Sequence, residues 1–124
     1  MVNVQLNVFA DQGKFMRACG QTVGENNPQQ FDLYVKLIRE EATELFDAMA
    51  LNNRPEIFDA LLDLIVVTIG AGLSAGFPMA AGWEEVIRSN MDKVDPETGM
   101  VRKRSDGKIL KPEGWKPPNL SNLI

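Results

Sequence analysis

An all-α fold, an antiparallel helical bundle of the four-helix type with an irregular basic C-terminal tail, is the class this sequence predicts. Three observations carry that expectation. Apolar residues recur at helical spacing through long stretches of the middle of the chain. Helix-start signatures stand at Asn27 and Asn53, each with a proline just behind. Beyond Asp95-Pro96 the chain is rich in turn residues instead. The 124 residues are expected to form one domain, with a helical core over about 28–94 and a turn-rich tail over about 95–124.

The elements follow in order. Phe9, Phe15, Met16 and Cys19 suggest a short helix ending at Gly20, although Val2, Val4, Leu6 and Val8 alternate and leave a strand open there. Asn27 can cap a helix in which Pro28 suits the first position and Gln30 completes a capping-box spacing. Phe31, Tyr34, Leu37, Ile38, Leu45, Ala48 and Met49 then mark its apolar face. Asn52-Asn53 ends it, and Asn53 with Glu56 starts the next helix. That helix runs through Ile57, Phe58, Leu61, Leu62, Leu64, Ile65, Val66, Val67 and Ile69. It is apolar nearly all round and is expected to be the most buried, with Gly76 as its C-terminal cap. Pro78 opens a further helix through Trp83, Val86, Ile87 and Met91. Asp106-Gly107 is placed to close a small hairpin between Val101 and Lys108-Ile109-Leu110.

Composition excludes several chemistries. The formal charge is −4, with an isoelectric point near 4.8, which argues against a general nucleic-acid binder. There is no histidine, which removes histidine-based nucleophilic catalysis and histidine-ligated zinc. Cys19 is the one cysteine, so no intramolecular disulfide forms. The N-terminus lacks the pattern of a secretory signal. The apolar run Leu64–Met79 carries three glycines and Pro78 and falls short of the ~20 residues that span a bilayer. A cytoplasmic protein, without membrane or nucleic-acid partners, is the expectation. Charge is also uneven: residues 31–63 carry eight acids against three bases, whereas residues 101–124 carry six bases against two acids.

The informative conflict lies in the acids. Glu41 occupies an apolar-stripe position between Ile38 and Leu45, and Glu44 borders the same face, with Glu40 one turn before Glu44. Asp59 and Asp63 lie four apart in the most apolar helix, where neighbouring faces are expected to be covered. Ionised carboxylates gathered without partners are costly, and no basic residue lies between Arg54 and Arg88 to relieve them. A divalent cation resolves the conflict, and Mg²⁺ prefers such hard oxygen donors, with Mn²⁺ a substitute. The competing reading of Glu40, Glu41 and Glu44 is a solvated helix face. Glu56 is explained by capping alone.

These residues bear a resemblance. Leu37-Ile38-Arg39-Glu40-Glu41-Ala42-Thr43-Glu44-Leu45 followed by Asp59-Ala60-Leu61-Leu62-Asp63-Leu64-Ile65-Val66-Val67 resembles the MazG-like all-α nucleoside triphosphate pyrophosphohydrolases, in particular the phosphoribosyl-ATP pyrophosphohydrolase-like branch. Glu85–Lys93, Asp106-Gly107-Lys108 and Gly114-Trp115-Lys116-Pro117-Pro118 resemble later segments of that branch. The resemblance implies a Mg²⁺-dependent hydrolase that cleaves between the α and β phosphates, releasing a nucleoside monophosphate and pyrophosphate. It also implies a homodimer or larger homo-oligomer. The family pattern is ExxE followed by ExxD. Glu41 and Glu44 match the first pair and Asp63 the final aspartate, while the second pair's glutamate falls at Ala60, where Asp59 or Glu56 would have to substitute. Asn90 and Lys93 match the branch's polar pair. Glu40 is the first choice of general base, and Lys93, Lys108 and Lys111 the choices for the phosphates. For Phe9, Phe15, Tyr34 and Trp115, packing in the core is favoured over stacking on a base. Two other readings stay open: a phosphoribosyl-ATP pyrophosphohydrolase of histidine biosynthesis, and a non-catalytic helical dimer whose acids meet a partner's lysines.

Overall fold

The computed structural model describes residues 5–124. It is mostly helical: α1 (Val8–Ala18), α2 (Pro28–Ala50), α3 (Arg54–Ser74) and α4 (Met79–Met91). A two-stranded antiparallel ribbon, β1 (Val94–Asp95) with β2 (Met100–Val101), and a 3-10 turn at Ser121–Leu123 complete the described residues. The chain divides into two compact units, Met1–Met79 and Ala80–Ile124, so α4 groups with the tail.

In the first unit, α2 and α3 form an antiparallel hairpin. Its turn is short because Asn52 adopts a left-handed φ of 50°, a conformation asparagine tolerates. Asn53 then caps α3, its side chain accepting from the Glu56 N–H at 3.3 Å. At the far end Asn27 caps α2 by accepting from the Gln30 N–H at 3.2 Å. Gln30 does not complete the capping box; its amide donates instead to the Thr22 carbonyl and to Ser74 Oγ. The Asn27 N–H donates to the Ser74 carbonyl, which ties the start of α2 to the end of α3. Gly76, at φ +77°, ends α3 as expected.

The N-terminal alternative resolves toward helix where the chain is described. Val8 begins α1, and Asn7 caps it by accepting from the Ala10 N–H at 3.0 Å. Val2 and Val4 of the alternating pattern lie outside the described residues.

The core of this unit is Met16, Tyr34, Val67 and Ala71, with Val23, Phe31, Leu37, Ile38 and Leu73 packed around it. Tyr34 lies flat where Gly70 has no side chain; a Cβ there would collide with the ring. Its hydroxyl donates to Gln21 Oε1 at 2.5 Å, so the buried phenol is satisfied. Burial holds the Tyr34 hydroxyl above its usual pKa.

One expectation needs correction. Deep burial in α3 is concentrated toward its C-terminal end, through Val67, Ile69, Gly70, Ala71, Gly72 and Ser74, with Ala60 the one buried residue before them. In its N-terminal half Phe58, Leu61, Leu62, Ile65 and Val66 are exposed, as are Phe46, Met49 and Leu51 of the adjoining α2 segment. A 21-residue helix in so short a chain cannot be wrapped on every side by its own unit. α3 also has the length and hydropathy of a membrane span, a profile shared by core helices, and it packs on α1 and α2.

The second unit is α4 with the tail folded along it. The Trp115 indole N–H donates to the Ser89 carbonyl at 2.6 Å, and the Asn119 N–H donates to Glu85. Arg88 bridges Glu85 and Asp92 and also donates to the Pro117 carbonyl. The hairpin around Asp106-Gly107 forms, with Lys103 bridged to Ile109. The β1–β2 ribbon, by contrast, was read from sequence only as turn.

Candidate functional site

The acids of the first unit occupy the middle of the α2–α3 hairpin. Glu41 and Glu44 lie one turn apart on α2, Asp59 and Asp63 one turn apart on α3. Glu41 and Asp63 are half-buried, whereas Glu44, Asp59 and Glu40 are exposed. Asp59 is therefore not covered by neighbouring faces, contrary to the sequence expectation. It sits beside the same exposed apolar half of α3 that the unit leaves bare.

The carboxylates feel one another. The Glu41 carboxyl is pushed up to about 7, first by burial, then by the approach of the Glu44 carboxyl, then by the charges of Asp63, Glu44 and Asp59. Asp63 is also raised, by burial first and then by Asp59 and Glu44. Every cause of both shifts acts upward, and no cation contributes to either. Glu41 Oε2 is buried and has no hydrogen-bond partner. Glu44 offers no remedy when both groups are ionised, since two carboxylates are acceptors only. Such an atom lacks either a proton or a cation.

That orphaned oxygen, among hard oxygen donors, fits a divalent metal. As the side chains stand, no three acids among the described residues are drawn close enough to form a ready-made ligand group. Ala60, where the family pattern places a glutamate, is buried at 2% exposure. The acid nearest in sequence is Asp59, whose charge reaches both Glu41 and Asp63. Glu56 is engaged at the Asn53 cap through its N–H, and its carboxylate is named in neither shift.

The remaining candidates belong to the second unit. Lys93 Nζ donates to Asn90 Oδ1 at 3.1 Å, so the polar pair is joined. Lys93 and Lys111 both lie over the Trp115 ring, 5.2 and 4.8 Å from its centre. Lys108 is exposed in the Asp106-Gly107 turn, its N–H donating to Asp106. Trp115, expected in the core, is instead half-buried under two lysines, and its meeting with Lys93 bridges segments that no local pattern links.

Comparison with known proteins bears on these positions. The profile of phosphoribosyl-ATP pyrophosphohydrolase matches residues 16–90, well over half the chain. The chain belongs to the phosphoribosyl-ATP pyrophosphohydrolase family. It is thereby a member of the MazG-like superfamily, whose pyrophosphohydrolases generally use divalent metals. The matched segment contains all four acids and Asn90, and ends before Lys93. The chain is also 46% identical over 48 residues to uncharacterized protein L479 of Acanthamoeba polyphaga mimivirus. That similarity covers 39% of this chain and 19% of the viral protein, so the chain spans about a fifth of that relative's length.

Proposed function

We propose that this protein is a Mg²⁺-dependent nucleoside triphosphate pyrophosphohydrolase that cleaves the α–β anhydride to a nucleoside monophosphate and pyrophosphate. The observation that carries the reading is the buried, partnerless Glu41 oxygen within an array of acids that no cation among the described residues balances. Glu41, Glu44, Asp63 and Asp59 would hold Mg²⁺, or Mn²⁺ in its place. Bound there, the ion supplies charge neutralisation for the phosphates and makes water more acidic. Glu40, exposed on α2 beside Glu41, accepts the proton of the attacking water. Lys93, Lys108 and Lys111 offer ammonium groups to the anionic product.

The family description supports phosphoribosyl-ATP as a second substrate reading. The bond broken is the same anhydride, so a substrate panel decides between the two. The test is incubation with nucleoside triphosphates, deoxynucleoside triphosphates and phosphoribosyl-ATP plus Mg²⁺, followed by product analysis. Pyrophosphate release from ordinary triphosphates supports the first reading, and turnover of phosphoribosyl-ATP alone supports the second. Orthophosphate as the first product overturns both. A purely helical binding module is excluded by specific Mg²⁺ or Mn²⁺ heat in calorimetry.

We also propose that the protein is cytoplasmic and works as a homodimer or larger homo-oligomer. The apolar side chains left exposed on α2 and α3, from Phe46 to Val66, support this reading. Light scattering coupled to size exclusion tests it, and a monomer at micromolar concentration refutes it.

A further inference from the structure

The second unit is nearly balanced in charge, and most of its acids and arginines are spent on one another. Three of its arginines are paired with acids: Arg88 with Glu85 and Asp92, Arg102 with Asp95, and Arg104 with Asp106. Lys93 and Lys111 differ. Neither forms an ion pair with an acid among the described residues, yet both ammonium groups meet the same indole ring. Lys93 belongs to the segment just after α4 and Lys111 to the tail, so the ring brings together two cations from separate segments. A π face attracts each ammonium but does not cancel their mutual repulsion. The ring is not free to drift, because its N–H is fixed on the Ser89 carbonyl, and Lys93 is steadied further by Asn90. The groove of about 280 Å³ beside Trp115 is lined by Arg88, Asp92, Glu113 and Lys116 and by neither Lys93 nor Lys111, so the pairing of the two lysines rests on their ring contacts. Asp92 is already held by Arg88 at 2.6 Å.

We propose that Trp115 is a positioning residue that sets Lys93 and Lys111 as a two-ammonium clamp for a diphosphate group. Two point-charge donors on one ring match a ligand with adjacent, multiply charged oxygens better than a single carboxylate, which would leave one ammonium uncompensated. The choice of diphosphate rests on the proposed reaction; the clamp rests on the second unit alone. Lys108, away from the ring, is not part of it.

The test is calorimetric titration of inorganic pyrophosphate into the full-length, metal-free protein at low salt with chelator present. Wild type is expected to show one saturable site. Trp115→Leu, with both lysines intact, is expected to weaken binding about tenfold, and Trp115→Phe, which keeps a π face, to stay within about threefold of wild type. Lys111→Gln is expected to weaken it, while Lys103→Gln, removing an equal charge from an exposed position of the same tail away from the ring, leaves it nearly unchanged. Absence of saturable binding, Trp115→Leu binding like wild type, or equal losses for Lys111→Gln and Lys103→Gln each overturn the clamp. If Trp115→Leu loses its helical circular dichroism, the contrast between the two lysine variants decides. Nucleotide turnover is assayed separately. Pyrophosphate binding without turnover leaves the clamp standing and defeats the proposed reaction. Turnover with an unaltered Trp115→Leu does the reverse.

Discussion

The two ends of the α2–α3 hairpin are made from the same pair of helices and obey opposite rules. At the end where α2 begins and α3 finishes, polar groups find partners: Gln30 meets Thr22 and Ser74, Tyr34 meets Gln21, and the Tyr34 ring fills the space above Gly70. Toward the connecting turn, Glu41 and Asp63 are raised by their neighbours, one carboxylate oxygen is orphaned, and large apolar side chains face outward. One end spends its residues on cohesion. The other leaves charge and apolar area unsatisfied, which is where a ligand or a second chain has something to offer.

The contrast is broken most severely at Glu41. Glu41→Gln keeps the shape and removes the charge, so pyrophosphate release should fall by more than about a hundredfold while the helical circular dichroism stays the same. Retained activity would remove the acid array from the mechanism. At the cohesive end, Gly70→Ala forces a Cβ into the Tyr34 ring and should cost about 1–3 kcal/mol, read as a fall in denaturant midpoint. An unchanged midpoint would show that the ring moves freely.

The pH dependence of stability sharpens the difference. Glu41 titrates near 7 in the fold against an ordinary glutamate value of 4.5, so the folded state binds the extra proton. Metal-free protein should therefore be more stable near pH 5 than near pH 7.5, losing stability as pH rises through that interval. Glu41's share is on the order of 1 kcal/mol after solvent screening. Glu41→Gln should flatten that slope, and added Mg²⁺ should oppose it at the upper pH. A wild-type slope matching the variant's would contradict the burial argument. The smallest effect is expected at the turn, where Asn53→Ala removes a cap worth about 0.5–1 kcal/mol and should lower the thermal midpoint by a few degrees without touching metal affinity.

How much of this was legible follows from the range of the interactions. The caps at Asn27 and Asn53 and the stop at Gly76 are local, and sequence alone places them. The anomaly at Glu41 was visible because an acid interrupts an apolar period. The Gln30–Ser74 bond links positions 44 residues apart, and the Trp115–Ser89 bond positions 26 apart, which no periodicity encodes. The expected burial of α3 failed for a related reason. Hydropathy says what a helix face would shed from water, but not whether its own chain is long enough to cover it. Phe58 and Leu62 are as apolar as Val67, yet only Val67 lies under a neighbouring element of this unit.

Ala60 has a consequence for selectivity. Sliding an acid by one position along a helix swings its direction by about 100°. Since Ala60 is buried, a glutamate there would have to displace its neighbours before it could join the other acids. A ligand that reads the position of Asp59 would therefore separate this protein from one that carries a glutamate where Ala60 stands.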